Sequence, residues 1–220
     1  PVNKKSIIVP SEKIPVAPFL GTKIIENIDL NEVYPYLNLD YVFKLHWGIR
    51  GMSKEEYDKA VKETYLPILD QLKKECIENN YLEPKAVYGF FKCRKHDNSL
   101  IVLDSDGTET KFDFPRQNKE EFLCLSDYFN EKSDVVAFQI VTVGNKISKI
   151  CNELNEKGEY NKSHFLYGLA VETAEALAEY INRLVIKELG FEKFQGLRYS
   201  FGYPACPNLS DQEKLFKLLD

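Results

Sequence analysis

Apolar residues recur at steps of three and four in two long stretches of the chain, and at steps nearer two in the stretch between them. In the first, Tyr57, Val61, Tyr65, Ile68 or Leu69, Leu72 and Cys76 keep helical spacing. Ser53 and Glu56 precede it as a capping box, in which each side chain satisfies an otherwise orphaned backbone N–H of the other. Pro67 lies inside the pattern and lacks an N–H, so a kink is expected there. In the second, from about residue 162 to 187, Leu166, Leu169, Ala170, Thr173, Leu177, Tyr180, Ile181 and Leu184 form an apolar stripe. Glu172, Glu175 and Glu179 form a separate acidic stripe that reads as a solvated face, and Gly190 stands where a helix stops.

Between these helices the segments 86–93, 100–103 and 111–114 are rich in aromatic and β-branched residues and read as strands. Asp97-Asn98-Ser99 and Asp106-Gly107 supply the turns of an antiparallel meander. A further strand over 135–143 is nearly all apolar, which predicts a central position covered on both faces. Residues 1–28 read as an extended arm punctuated by Pro10, Pro15 and Pro18. A short helix is expected over 30–37, capped by Asp29 or Asn31, and a last helix to Leu219, capped by Asn208 or Ser210. Strands joined by hairpins and flanked by two long helices make an α+β fold with a twisted antiparallel sheet, in one domain spanning 1–220.

Composition adds mostly exclusions. The 34 acidic and 29 basic residues give a net charge of −5, and no face concentrates Lys and Arg as a nucleic-acid site would. Lys92, Arg94, Lys95 and His96 come nearest and read as a solvated hairpin tip. No apolar run is long enough to span a bilayer, and the N-terminus is no signal peptide, so a cytoplasmic protein is expected. Cys76, Cys93, Cys124, Cys151 and Cys206 are odd in number and widely spaced, which argues for free thiols rather than a zinc site or disulfide scaffold. His46, His96 and His164 lack metal-ligand spacing and read as surface or packed histidines.

The common catalytic and nucleotide-binding motifs are absent. The unusual feature is the stretch from Arg198 to Pro207. Pro204 and Pro207 bracket Ala205-Cys206, and Gly202 precedes Tyr203. Prolines leave such a loop few conformations, and Gly202 lets the backbone approach another group closely. Taken alone, the loop is either a connector that positions the last helix or a rigid cradle whose amides and arginine hold a small carboxylate.

Gln195-Gly196-Leu197-Arg198, then Gly202-Tyr203-Pro204-Ala205-Cys206-Pro207, resembles the signature of the activation domain of cobalamin-dependent methionine synthase. Residues 36–43, Ala86-Val87-Tyr88-Gly89-Phe90-Phe91, Pro115-Arg116-Gln117, the run from Cys124 to Phe129 and the run from Ala174 to Tyr180 resemble further family segments in the same order. The resemblance covers nearly the whole chain from about residue 15. Two departures stand out. Tyr199-Ser200-Phe201 replaces a Pro-rich spacer, putting two bulky side chains beside the expected adenosyl contacts, and the sequence ends where the family domain continues with a further ligand-contacting segment.

The resemblance implies that S-adenosylmethionine is bound, with Arg198 on its carboxylate, Asp40 on its ammonium and Glu175 facing the site. A planar guanidinium grips a carboxylate with two parallel bonds, which Lys cannot. It also implies contacts to the adenosyl part around Ser200, Gly202 and Tyr203, and a corrinoid-facing surface of Tyr203, Pro204, Ala205 and Cys206. The implied activity is reductive reactivation: an oxidised corrinoid, cob(II)alamin, takes an electron from a reduced flavoprotein or other donor and a methyl group from S-adenosylmethionine. The cobalamin would sit on a partner, either a corrinoid-binding protein or the cobalamin module of a methionine synthase. The cofactors carry that chemistry, so no catalytic acid, base or nucleophile is expected. Rival readings are a module that docks on a corrinoid protein without binding S-adenosylmethionine itself, and a methyltransferase with another acceptor.

Overall fold

The computed structural model describes residues 6–191 and 196–220. The fold is α+β, with a five-stranded antiparallel sheet and helices. In chain order the elements are β1 (Gly21–Ile25), α1 (Leu30–Val33), α2 (Lys54–Ala60), α3 (Leu66–Glu78), β2 (Lys85–His96), β3 (Ser99–Leu103), β4 (Glu109–Asp113), β5 (Asp134–Thr142), α4 (Lys146–Glu156), α5 (Tyr160–Glu188) and α6 (Asp211–Leu218). No described helix is long and apolar enough to cross a membrane. The chain forms two compact units. One holds residues up to Ile24, Val87–Ile140 and Ile181–Asp220; the other holds Ile25–Ala86 and Val141–Tyr180.

The first unit is built on the sheet. β2, β3 and β4 make the expected meander, with Cys93 opposite Val102 and Leu100 opposite Phe112. Asp97 and Gly107 take positive φ at its two turns. β2 is the strand covered on both faces. Its even positions Tyr88 and Phe90 meet Phe19 edge to face, and its odd positions Phe91 and Cys93 join Val102, Phe112 and the Leu215 and Leu218 side chains of α6. Burial of each such large side chain contributes about 1.5–3 kcal/mol. The central place expected for β5 is therefore taken by β2. β5 pairs with β2, and its residues from Val135 to Val141 are only half-buried, with Val136, Phe138 and Ile140 supplying its contact to the core. The N-terminal arm ends in a strand, β1, that sequence pattern did not show.

Helices make the second unit. Ser53 and Glu56 form the expected capping box on α2, and Asp29 caps α1 by accepting the Asn31 N–H at 2.8 Å. The kink expected at Pro67 takes another form. Residues Val61–Tyr65 make a π turn, in which the Leu66 N–H reaches back to the Val61 carbonyl, and Pro67 falls in the first turn of α3, where a missing N–H costs little. α5 is the second long helix, and Leu166, Leu169 and Ala170 pack with Leu69, Leu72 and Cys76 of α3. α4 was not expected. Ile147 and Cys151, one turn apart, are its only two buried positions, and Asn145 makes no side-chain cap, so its signal is weak.

Candidate functional site

In the sheet unit the loop after α5 is shaped by its own backbone. The Tyr203 N–H donates to the Ser200 carbonyl at 3.4 Å, and the Cys206 N–H donates to the Tyr203 carbonyl at 2.9 Å. The Gly202 N–H closes the two turns on each other by donating to the Cys206 carbonyl at 2.9 Å. Pro204 stands second in its turn, where its fixed φ is favoured. Gly202 has φ +98°, and a Cβ there would lie 2.8 Å from the Leu209 side chain, so both backbone and space call for glycine. Phe201 stacks on Phe112 with ring centroids 5.9 Å apart, which turns its bulk toward the core of this unit.

Ser200, Gly202, Tyr203 and Pro204 are exposed, Tyr203 by 63%, while Arg198 and Ala205 are half-buried. Cys206 is 4% exposed and its thiol donates to the Ser200 carbonyl at 3.0 Å. Burial, then the nearby Asp211 charge, push that thiol up from its ordinary range, so it stays protonated. Its sulfur serves the loop's own shape. Phe194 and Gln195, before the motif's Gly196, lie outside the described residues.

In the helical unit, Asp40 sits in the first turn of a short helix over residues 39–46, most of it a π turn (Tyr41–His46). The side chain is exposed and pairs with Lys44 at 2.8 Å. Exposed pairs of this kind are weak, so the carboxylate is available to a competing cation. Asn38 caps the helix: its side-chain oxygen accepts the Tyr41 N–H at 3.3 Å and its carbonyl accepts the Val42 N–H at 2.9 Å. Tyr36, Asn38, Asp40, Phe43 and Tyr57 line an open groove on this unit. Glu175 is exposed on α5.

One turn before Glu175, Glu172 is only 3% exposed. Its Oε1 accepts the Asn38 N–H at 3.2 Å and its Oε2 lies 3.2 Å from His46 Nε2. Burial outweighs these bonds and pushes its carboxyl above the ordinary glutamate value, with the Glu175 charge adding to the rise. The solvated acidic face expected for Glu172 is thus wrong, and His46 is more than a packed histidine. The signal was present: Glu172 continues the helical row Phe165, Leu169, Ala176, where Leu169 and Ala176 are buried.

Relatives of known kind share this chain's sequence. The methionine synthase of Mycobacterium tuberculosis is 29% identical, matched by all of this chain across 21% of its own length. That of Mycobacterium leprae is 30% identical, matched by 99% of this chain across 21% of its length. The chain therefore spans about a fifth of these relatives. A crystal structure of the MetH reactivation domain bound to AdoHcy has the same fold, with a TM-score of 0.76 over 96% of this chain and 72% of that one, at 22% identity. Residues 29–220 match the family described as vitamin B12 dependent methionine synthase, activation domain. The chain belongs to that family. Every expected binding residue of the activation domain, from Asp40 to Cys206, falls inside the matched span. Asp40 and Glu175 belong to the helical unit, and Arg198, Ser200, Gly202, Tyr203, Pro204, Ala205 and Cys206 to the sheet unit.

Proposed function

We propose that this chain binds S-adenosylmethionine as methyl donor and serves the reductive remethylation of a corrinoid carried by a partner. Its membership of the activation-domain family over residues 29–220 carries this reading. AdoHcy, the ligand named for the structural relative, is what S-adenosylmethionine becomes on losing its methyl group. The residues present suit the donor. Its one carboxylate suits a guanidinium such as that of Arg198, and its ammonium and sulfonium charges suit carboxylates such as those of Asp40 and Glu175. Each charge taken from water needs its partner, since an unmatched one costs several kcal/mol, about 3–5 when a partner is removed. Ser200, Gly202 and Tyr203 offer exposed backbone and an aromatic ring for the adenosyl part.

Tyr203 and Pro204 present exposed ring surfaces that suit the flat face of a corrin, beside the half-buried Ala205. Cys206 supports this face from beneath, with a protonated thiol turned to the loop backbone. When bound, the corrinoid supplies the methyl acceptor and the reducible metal. The chain's residues supply binding and orientation, with no proton to move. A cobalamin module, a reduced electron donor and a cytoplasmic setting belong to the same reading.

Calorimetric titration of S-adenosylmethionine into the native chain tests it. Saturable binding is expected, weakened by at least a hundredfold in an Arg198→Ala chain that still unfolds cooperatively. Equal binding in that variant rejects the assignment of Arg198. No binding in the native chain rejects donor binding and leaves a module that only docks on a corrinoid protein.

A further inference from the structure

A single buried carboxylate holds both ends of the short helix that carries Asp40. Glu172 Oε1 accepts the N–H of Asn38, the residue that caps this helix, and Glu172 Oε2 meets His46, its last residue. Asp40 lies between these two anchors. The backbone of α5 comes close at the same place: a Cβ on Gly168 would lie 2.9 Å from His46 Cβ and 2.9 Å from Trp47 Cδ1. Beside it, Trp47 Nε1 donates to the Phe165 carbonyl at 3.0 Å. A buried acid in an apolar helix row is a poor way to gain stability, because an aliphatic side chain would pack there without desolvating a charge. What the acid does supply is direction, since its two oxygens fix two separated points of one helix.

We propose that Glu172, acting through Asn38 and His46, is a positioning residue that sets the orientation of Asp40 and so its hold on the cationic end of an amino-acid ligand. The identity of that ligand rests on the function proposed above; the clasp itself does not. A carboxylate held in place before binding loses less freedom when a ligand arrives, and affinity rises accordingly.

The test uses the native chain with Glu172→Ala, Glu172→Gln and His46→Ala. Amide hydrogen exchange is followed by NMR, and S-adenosylmethionine affinity by calorimetry. Glu172→Ala is expected to speed exchange over residues 38–46 at least tenfold, on the order of 1.4 kcal/mol of local protection, while β2 to β4 keep theirs. It is expected to weaken S-adenosylmethionine at least tenfold. Glu172→Gln, whose amide oxygen still accepts the Asn38 N–H, should restore most of both. His46→Ala, which loses one anchor, should fall between. Unchanged exchange over 38–46 in Glu172→Ala overturns the proposal whether or not the ligand binds. So does a uniform rise across the chain with no rescue by Gln, which is what a merely structural role would give. Native-like ligand affinity in Glu172→Ala overturns the positioning role while the proposed function stands. Absence of binding in the native chain sinks the proposed function, and the exchange pattern then decides the clasp by itself.

Discussion

Asp127 in the sheet unit and Glu172 in the helical unit are carboxylates of nearly equal burial, 4% and 3% exposed, in opposite electrostatic surroundings. Asp127 accepts from both Nη atoms of Arg116 and from Lys95 Nζ at 2.8 Å. Arg116 also donates to the Phe122 carbonyl and to Asn98 at 2.7 Å, so one charge cluster pins the loop between β4 and β5 onto the β2–β3 turn. Burial alone would push Asp127 up, but the Arg116 and Lys95 bonds reverse it and hold the carboxyl below its ordinary range. Glu172 has an amide and a histidine in place of two cations, and burial wins. A buried acid matched by cations is a lock on the fold. One left short of positive charge contributes geometry at a cost in stability, and such groups cluster at functional sites.

The largest effect that separates the two should come from Asp127→Ala. It strands two cations whose side chains are each 20% exposed, and should cost about 3 kcal/mol in urea unfolding, the low end for a broken buried pair. A loss within 1 kcal/mol would erase the contrast. A pH series should give slopes of opposite sign. A carboxyl with a depressed folded pKa contributes stability above its unfolded value and loses it in acid. The advantage of the native chain over Asp127→Asn should therefore shrink as pH falls through and below 3.8, the ordinary aspartate value. A carboxyl with a raised folded pKa contributes fully below its unfolded value and loses that contribution as pH rises. The native chain should lose ground to Glu172→Gln as pH climbs above 4.5, the ordinary glutamate value. Parallel slopes would mean the two acids share one environment. The smallest effect should be Pro204→Ala in the loop, about 0.4–1 kcal/mol by thermal melting, because the turn keeps its hydrogen bond and only the unfolded chain gains freedom.

The elements legible in the sequence are those whose causes are local. The Ser53–Glu56 capping box, the turns at Asp97 and Gly107 and the meander they join all appear as expected, and of the two candidate caps for α1 the structure uses Asp29. Lys95 was misread. It was expected at a solvated hairpin tip and instead pairs with Asp127, thirty-two residues away in sequence. β5 was assigned to the middle of the sheet on apolar content alone, though content says nothing of which strand finds neighbours on both sides.

By itself the sequence limited the loop from Arg198 to Pro207 to few conformations, because Gly202, Pro204 and Pro207 restrict the backbone locally. It likewise fixed the helical and strand periods, which depend on side-chain spacing. Only the tertiary structure decided that Glu172 is buried, that it grips Asn38 and His46 from more than a hundred residues away, and that β2 lies deepest in the sheet. Burial and charge pairing are properties of what packs against a residue, and no local pattern states which distant segment that will be.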